Sequence, residues 1–354
     1  MQAVTVVAWS AIRADDDPTI ISTLVANLRA EVVIEWCSWL SMLLETRARS
    51  EDERIRAEIE AAQQVCTGGI AFSVVNMLRS DRAHGFLTQQ QLLMTSRLAI
   101  LHGLPGHGRE LVPGAVGELL LRVNDLLYEG YSEGDDARLF LLRRALQEAG
   151  SKNNEQTRYL LPRYFDLLLH TQVNPEDERD AIDVVAEFHG ATGLSVQQYM
   201  ACGLLFCGGF QQCHDVRNRA EVGRMVDSWH REEHTAGIVD QGQKCFCATR
   251  KELQDEVNKL SADAPQTFVP LRDRPLCVRE DGTLLPLNAQ ALLEKTAVGP
   301  YWELHKSFRQ RHQVGPFTKD MGKVFQSYKD RFLDAVYSDV SGTAYHPESV
   351  IQRV

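Results

Sequence analysis

Apolar residues recur along most of the chain at spacings of three and four, which is the period of an α-helix. The longest run of this kind lies between Ile20 and Leu44. Its apolar positions are Ile21, Leu24, Leu28, Val32, Val33, Trp36, Trp39, Leu40 and Leu43. Similar patterns predict further helices from Leu87 and over 114–130, 135–149, 156–170, 175–189 and 195–206. The chain is therefore expected to be mainly α, as a multi-helical array.

Two segments interrupt this pattern in different ways. Residues 103–114 hold four Gly and two Pro, and they predict a loop at which the helical region would subdivide. Residues 47–63 are rich in charge and predict a solvated helix in which Glu51 pairs with Arg54.

Capping residues mark helix starts in the C-terminal half. Thr249, with Glu252 three residues later, has the form of a capping box. Asn288 is expected to cap a further helix, and Pro300 to open the next one because proline suits a first turn. A last long helix is predicted over 319–337.

The pattern changes after Ala264, where β-favouring residues flank a turn at Glu280-Asp281-Gly282. Residues 276–278 and 283–285 are predicted to pair as a short hairpin, which gives a small β insertion near 274–286. We therefore expect a helical domain over 1–262. A module of this hairpin and helices is expected over 263–354.

The composition favours a cytoplasmic protein without membrane contact. Hydrophobic residues make up 44% of the chain, and the eight Cys show no disulfide framework, which favours reduced thiols. The N-terminus lacks the basic start of a signal peptide. Because Arg29, Glu31 and Glu35 interrupt the apolar run, no stretch approaches the roughly 20 apolar residues of a membrane span.

The formal net charge of −10 argues against a protein that coats nucleic acid without sequence preference. The charge is uneven, however. Residues 296–354 hold eight Lys and Arg against six Asp and Glu, so this end carries +2 and the remainder −12. A contact with nucleic acid is therefore left open only at the C-terminal end.

Cys and His side chains gather in one window that could suit zinc. They are Cys202, Cys207, Cys213, His214, His230, His234, Cys245 and Cys247. The spacings differ from those of common zinc sites, since no C-x-x-C occurs. The His230–His234 segment also places Arg231 where a zincin helix needs its glutamate. Buried thiols are the favoured interpretation, and no metal or cofactor is expected.

Motifs for catalysis are missing from the sequence. There is no G-x-S-x-G, and no Asp followed by an acid-x-Lys pair that would hold Mg²⁺ in a restriction-type nuclease. The glycines at 103–108 lack the G-K-[ST] of a phosphate loop. The chain as it stands is therefore expected to bind rather than to catalyse.

Four cations cluster around the predicted hairpin and are the candidate site residues, namely Arg272, Arg274, Arg279 and Lys295. A solvated, charged sheet edge that prevents aggregation accounts for them most simply. The alternative is a contact with an anion or a partner, since arginines bind phosphate and carboxylate groups.

The residues from Pro270 onward carry a resemblance. They read PLRDRPLCVREDGTLLPLNAQALLEKTAVGPYWEL and then MGKVFQSYKDRFL, with related strings near Gly117 and Gly190. This stretch, from Ala115 to about Leu333, resembles the helical region of large uncharacterised bacterial proteins. In those proteins the region can precede a restriction-endonuclease-like PD-(D/E)XK domain. The shared motifs are structural, so no catalytic residue carries over.

The resemblance and the helical pattern together suggest a non-catalytic scaffold or recognition region, used in a bacterial defence-type nuclease system. A protein partner or an attached catalytic domain would then complete it. One alternative is a nuclease fragment that lacks its catalytic domain, with a truncated C-terminal module. Another is a zinc-binding protein that uses the Cys and His side chains of 202–247.

Overall fold

The computed structural model describes residues 5–13, 19–47, 50–81, 84–105, 113–128, 154–169, 183–231, 233–259 and 269–337. Within them the fold is mainly α, as the sequence predicts. The helices are α1 Thr19–Ala26, α2 Ala30–Arg47, α3 Glu51–Val65, α4 Gly68–Ser80, α5 Gln89–His102, α6 Pro113–Tyr128, α7 Asn154–Leu169, α8 Val184–Thr192, α9 Val196–Gln212, α10 Arg219–Arg231, α11 Glu233–Phe246, α12 Arg250–Asn258, α13 Val269–Asp273, α14 Ala289–Gln310 and α15 Val314–Tyr337. The strands are β1 Thr5–Val6, β2 His84–Gly85, β3 Cys247–Thr249, β4 Leu276–Val278 and β5 Leu284–Pro286. Among these described helices, none is long and apolar enough to cross a membrane.

The chain forms two compact units, each assembled from segments that are distant in sequence. Unit 1 comprises residues 1–156 and 202–295, and unit 2 comprises residues 157–201 and 296–354. This division differs from the boundary at 262 that the change in composition predicts. The reason is that the hairpin pairs with β3, so the chain beyond 262 belongs to unit 1 as far as Lys295.

Helix α2 lies at the centre of unit 1 and packs against α5 and α3. Its buried face carries Val33, Ile34, Cys37 and Leu40, whose spacing is that of one helix face. The aliphatic side chains among them each stabilise the fold by roughly 1.5–3 kcal/mol when they leave water. The apolar pattern between Ile20 and Leu44 therefore marks the core, as expected.

Capping boxes fix the starts of several described helices, among them α9, where Ser195 pairs with Gln198, because each box satisfies backbone N–H groups that the first turn leaves free. Other boxes pair Ser50 with Glu53, Thr88 with Gln91 and Thr249 with Glu252, of which the Thr249–Glu252 box is the predicted one. Asn288 caps α14 through its Oδ1, which accepts from the Ala291 N–H at 2.9 Å, again as predicted.

Two helix predictions near the C-terminus are wrong in their boundaries. Pro300 does not open a helix but lies inside α14, which runs through it without a break. The last helix begins at Val314, five residues before the predicted start. His312, at φ 58, reverses the chain between the two helices and lets the Gln313 N–H bond the Phe308 carbonyl at 2.8 Å.

Helix α3 also differs from its prediction as a solvated helix. One face is buried through Ala57, Ala61 and Val65, together with Glu58. The Glu58 carboxylate accepts from the Phe86 N–H at 2.7 Å and pairs with Arg54. A charged composition therefore concealed a helix that contributes to the core.

The helices predicted over 135–149 and most of 175–189 lie outside the described residues.

A three-stranded sheet in unit 1 contains the predicted hairpin and one strand that the sequence did not reveal. Strands β4 and β5 are antiparallel, with Cys277 opposite Leu285, which confirms the hairpin. Strand β3 lies parallel to β4 on its other side, with Ala248 opposite Cys277. Because Thr249 ends β3 and caps α12, the sheet sets the position of the first turn of α12.

Unit 2 has its own aromatic interior. Phe188 of α8 meets Tyr199 of α9 edge to face, with ring centroids 5.5 Å apart. Between α14 and α15, Phe308 stacks on Phe317 at 5.1 Å, and Tyr301 contacts Phe317 at 5.5 Å. Edge-to-face and offset stacking are the favoured geometries for such pairs.

Candidate functional site

The four cations that the sequence marks near the hairpin have different environments. Arg272 is exposed on α13, while Arg274 is half-buried and donates to a backbone carbonyl of β3 at 3.4 Å. Lys295 is buried, and its Nζ lies 2.9 Å from Asp273 Oδ1. Arg279 is also buried, with 3% of its surface exposed. Two of the four cations are thus engaged in internal ion pairs, and an anion contact by the group stays a prediction.

Arg279 joins the hairpin to the rest of unit 1. Its Nη2 donates to the Val216 carbonyl at 3.1 Å, and its Nη1 donates to Thr283 Oγ1 at 3.2 Å. Its Nε lies 3.4 Å from Glu35 Oε1 on α2. Burial lowers the pKa of Arg279, but arginine is not deprotonated in proteins. The guanidinium therefore stays charged and needs these partners.

Arg219, at the start of α10, is the second centre of this network. Its Nη2 lies 2.8 Å from Glu31 Oε2 and 3.0 Å from Glu35 Oε1, and its Nη1 lies 3.0 Å from Asp281 Oδ2. Desolvation opposes the charge, but the glutamates outweigh it and raise the pKa of Arg219 above its ordinary value. We call Glu31, Glu35, Arg219, Arg279 and Asp281 the acid–arginine cluster.

The loop before α10 is fixed to α2 by a second arginine. The Arg217 guanidinium lies 4.2 Å from the ring centroid of Trp36 and 4.4 Å from that of Trp39. Its Nη2 also pairs with Asp215 at 2.8 Å. Cation–π contacts of this kind stabilise a partly desolvated arginine. The loop is held so that its Val216 carbonyl faces Arg279.

Acid should weaken the acid–arginine cluster through Asp281. Desolvation disfavours its charge, but hydrogen bonds from Thr283 and the pair with Arg219 outweigh this and lower the pKa of Asp281 from 3.8 to about 2. Since the folded pKa lies below the unfolded one, the stabilisation is full above pH 4 and is lost as the pH falls towards 2. We expect Asp281→Asn to lose less stability than the wild type between pH 5 and pH 2.5 in urea unfolding. Equal losses in the two proteins would contradict this role.

A pocket of about 580 Å³ lies beside this cluster, within unit 1. Its apolar lining comes from Ile34, Leu101 and Leu285, and the Cys277 side chain also faces it. Gly103, which ends α5, forms part of the rim, and residues 106–112 of the predicted loop lie outside the described residues. The volume falls within the range that small-molecule sites occupy.

The first turns of α12 form the polar wall of the pocket. Arg250 Nη2 donates to the Gly103 carbonyl at 2.6 Å, and Gln254 Nε2 donates to the Leu101 carbonyl at 3.1 Å. These bonds satisfy carbonyls at the end of α5 that its own helix leaves free. Lys251 also lines the pocket, and its side chain is exposed.

The Cys and His side chains of residues 202–247, which suggested zinc, do not form a metal-binding group in the part of the chain that the structure describes. Among the residues that the structure describes, no three or more His, Cys, Asp or Glu side chains are arranged to hold a metal ion. Burial raises the pKa of Cys202 to about 12 and that of Cys247 further. His230 Nδ1 lies 3.4 Å from Asp240, and the side chain of His234 lies outside the described part.

Unit 2 carries a row of aromatic side chains that reaches solvent. Trp302 of α14 is 51% exposed, and Phe325 and Phe332 of α15 are 40% and 54% exposed. Tyr301 joins the two helices, with ring centroids 5.1 Å from Trp302 and 6.4 Å from Phe325. Tyr328 stacks on Phe332 at 6.3 Å. We call Tyr301, Trp302, Phe325, Tyr328 and Phe332 the aromatic stripe.

Two cations border the aromatic stripe. The guanidinium groups of Arg163 and Arg331 each lie 5.9 Å from the ring centroid of Tyr328. Arg331 also pairs with Asp166 of α7 at 2.6 Å. The stripe was not predicted as a surface, because a spacing of three and four does not distinguish a buried helix face from an exposed one.

Comparison with known proteins finds no matching family model, curated protein or solved structure.

Proposed function

We propose that this chain is a helical recognition scaffold that binds a protein partner through the aromatic stripe of unit 2. The observation that carries the proposal is the exposure of Trp302, Phe325 and Phe332, which Tyr301 and Tyr328 link through ring contacts on α14 and α15. Contiguous apolar surface of this kind costs free energy in water and marks interaction sites. Aromatic side chains and arginine are also the residue types that contribute most to protein interfaces.

The chemistry of the stripe favours an amphipathic helix with acidic residues beside its apolar face. Phe325, Tyr328 and Phe332 lie at i, i+3 and i+7 of α15, so they present a row that a second helix can follow. Arg163 and Arg331 lie beside Tyr328, the middle residue of that row, and would meet carboxylates on the partner.

A nuclease is the first partner to test. The basis is the resemblance of the chain to helical regions that can precede PD-(D/E)XK domains. Unit 2 includes residues from that stretch, among them Trp302 and Phe325. The scaffold would thus supply recognition to a separate nuclease that a neighbouring gene encodes.

The test uses the full chain and the separately expressed products of the genes on either side of its own. We expect one of them to bind in calorimetry. We expect Trp302→Ala and Phe332→Ala each to weaken that binding by roughly tenfold or more, as removal of a central aromatic residue does at other interfaces. Both side chains are half exposed, so the free protein should keep its melting temperature.

Phe72→Ala is the matched control, because Phe72 is 70% exposed but belongs to unit 1. Its affinity should equal that of the wild type. The proposal fails if neither neighbouring product binds, or if the stripe variants bind as tightly as the wild type. It also fails if light scattering shows that the stripe only joins two copies of this chain.

A further inference from the structure

Two cations that line the pocket in unit 1, Arg250 and Lys251, do not belong to the acid–arginine cluster. Arg250 and Lys251 occupy consecutive positions in the first turn of α12, at its positive end. Cations are unfavourable there, because the helix dipole and the free N–H groups favour negative charge. The acid of this turn, Glu252, lies in the capping box with Thr249. Two cations in the first turn of a helix therefore depart from the usual preference for acids there, and departures of this kind are expected at functional sites.

Neither Arg250 nor Lys251 makes an ion pair with a residue that the structure describes, although Glu31 and Glu280 are close enough to Arg250 to oppose the lowering of its pKa by burial. Arg250 Nη2 is bound to the Gly103 carbonyl, but its buried Nε has no hydrogen-bond partner among the described residues. Lys251 lines the pocket with an exposed side chain and makes no ion pair with any residue that the structure describes.

The acids of the pocket limit how much negative charge it can accept. Glu31 lies in the lining and is bound to Arg219, and Glu280 lies in the lining on the hairpin. These carboxylates would repel a polyanion such as a nucleotide triphosphate. A single anionic group at the α12 wall would instead lie beside the cations. The apolar lining by Ile34 and Leu285 would then contact the rest of the ligand.

We propose that this pocket binds a small organic molecule with one anionic head group, a carboxylate or a phosphate, and an apolar body. The head group would lie at Arg250 and Lys251, where it reduces the repulsion between the two cations and the end of α12. The body would fill the space of about 580 Å³ between α2, α5 and the hairpin. This site lies in unit 1 and is separate from the proposed partner surface, so each proposal can fail without the other.

The experiment titrates the full chain with three probes of one shape in calorimetry. They are 4-phenylbutyrate, 3-phenylpropyl phosphate and the neutral 4-phenylbutanamide. We expect at least one anion to bind with a Kd of about 1 mM or below, and the amide to bind at least about tenfold more weakly. The stronger of the two anions identifies the head group as carboxylate or phosphate.

Two variants with the same change of charge locate the site on α12. Lys251→Gln should weaken binding of the anion by about tenfold, since one charged contact is lost. Lys259→Gln should leave binding unchanged, because Lys259 is exposed at the other end of α12 and does not line the pocket. The proposal is overturned if no anion shows saturable binding, if the amide binds equally well, or if both variants bind like the wild type.

Discussion

Arg279→Met should lower the free energy of unfolding by about 2–3 kcal/mol, because it removes one partner of a buried ion pair. Methionine keeps most of the apolar stem but none of the donors. The Val216 carbonyl and Thr283 Oγ1 then lose their hydrogen bonds from Arg279. Glu35 keeps Arg219 at 3.0 Å, which places the loss below the roughly 3–5 kcal/mol that is typical when a buried pair is broken.

Arg272→Met is the matched control, since it makes the same exchange seven positions away on the same stretch of chain. Arg272 is exposed, and its replacement should change stability by no more than about 0.5 kcal/mol. Urea unfolding followed by tryptophan fluorescence suits the comparison. Four of the five tryptophans belong to unit 1, and Trp36 and Trp39 lie close to the cluster. Equal stabilities of the two variants would show that Arg279 has no such role.

This contrast shows what the sequence can and cannot predict about the candidate residues. The sequence shows the cluster of arginines near the hairpin, and a charged sheet edge is expected to be solvated. That expectation holds for Arg272, which is exposed, but not for Arg279, which is buried. What buries Arg279 is α2 and the loop before α10, whose Glu35 and Val216 lie far away in sequence. Arg219 gave no local signal at all, because its glutamate partners are 188 and 184 positions away.

Local chemistry was a better guide to the fold. The Thr249–Glu252 box, the Asn288 cap and the hairpin are each determined by residues within a few positions, and all three are confirmed. Strand β3 was missed because its three residues have no alternating pattern, and it forms only where β4 pairs with it. Pro300 was misread because a proline within a helix costs free energy that packing in a long helix can offset.

The aromatic stripe shows the limit of periodicity. Phe325, Tyr328 and Phe332 have the spacing of a core face, and the same spacing in α2 does mark the core. The sequence therefore reveals which side chains share a face. It does not reveal whether another part of the protein covers that face, since this depends on the tertiary fold. For this reason the stripe becomes a candidate for recognition only once its exposure is known.

Gly117→Ala should lower the free energy of unfolding by about 1–3 kcal/mol, as overpacking does in other cores. Gly117 is buried on α6, where α6 meets the end of α3. A Cβ there would collide with the Val65 carbonyl oxygen and would lie 2.6 Å from Cys66 Sγ. The oxygen belongs to the backbone, so the two helices would have to move apart. The net loss already includes the gain of at most about 1 kcal/mol that alanine brings to a helix interior.

Gly237→Ala tests the same exchange without the collision. Gly237 is exposed inside α11, and a Cβ there meets no atom within 4 Å. Helix propensity alone then acts, and the variant should be more stable than the wild type by up to about 1 kcal/mol. A lower urea midpoint than the wild type for Gly117→Ala and a higher one for Gly237→Ala would show that Gly117 is required for the approach of α6 to α3. A gain in both variants would instead mean that the two helices have room for a methyl group, and that the close contact at Val65 does not limit the packing of unit 1.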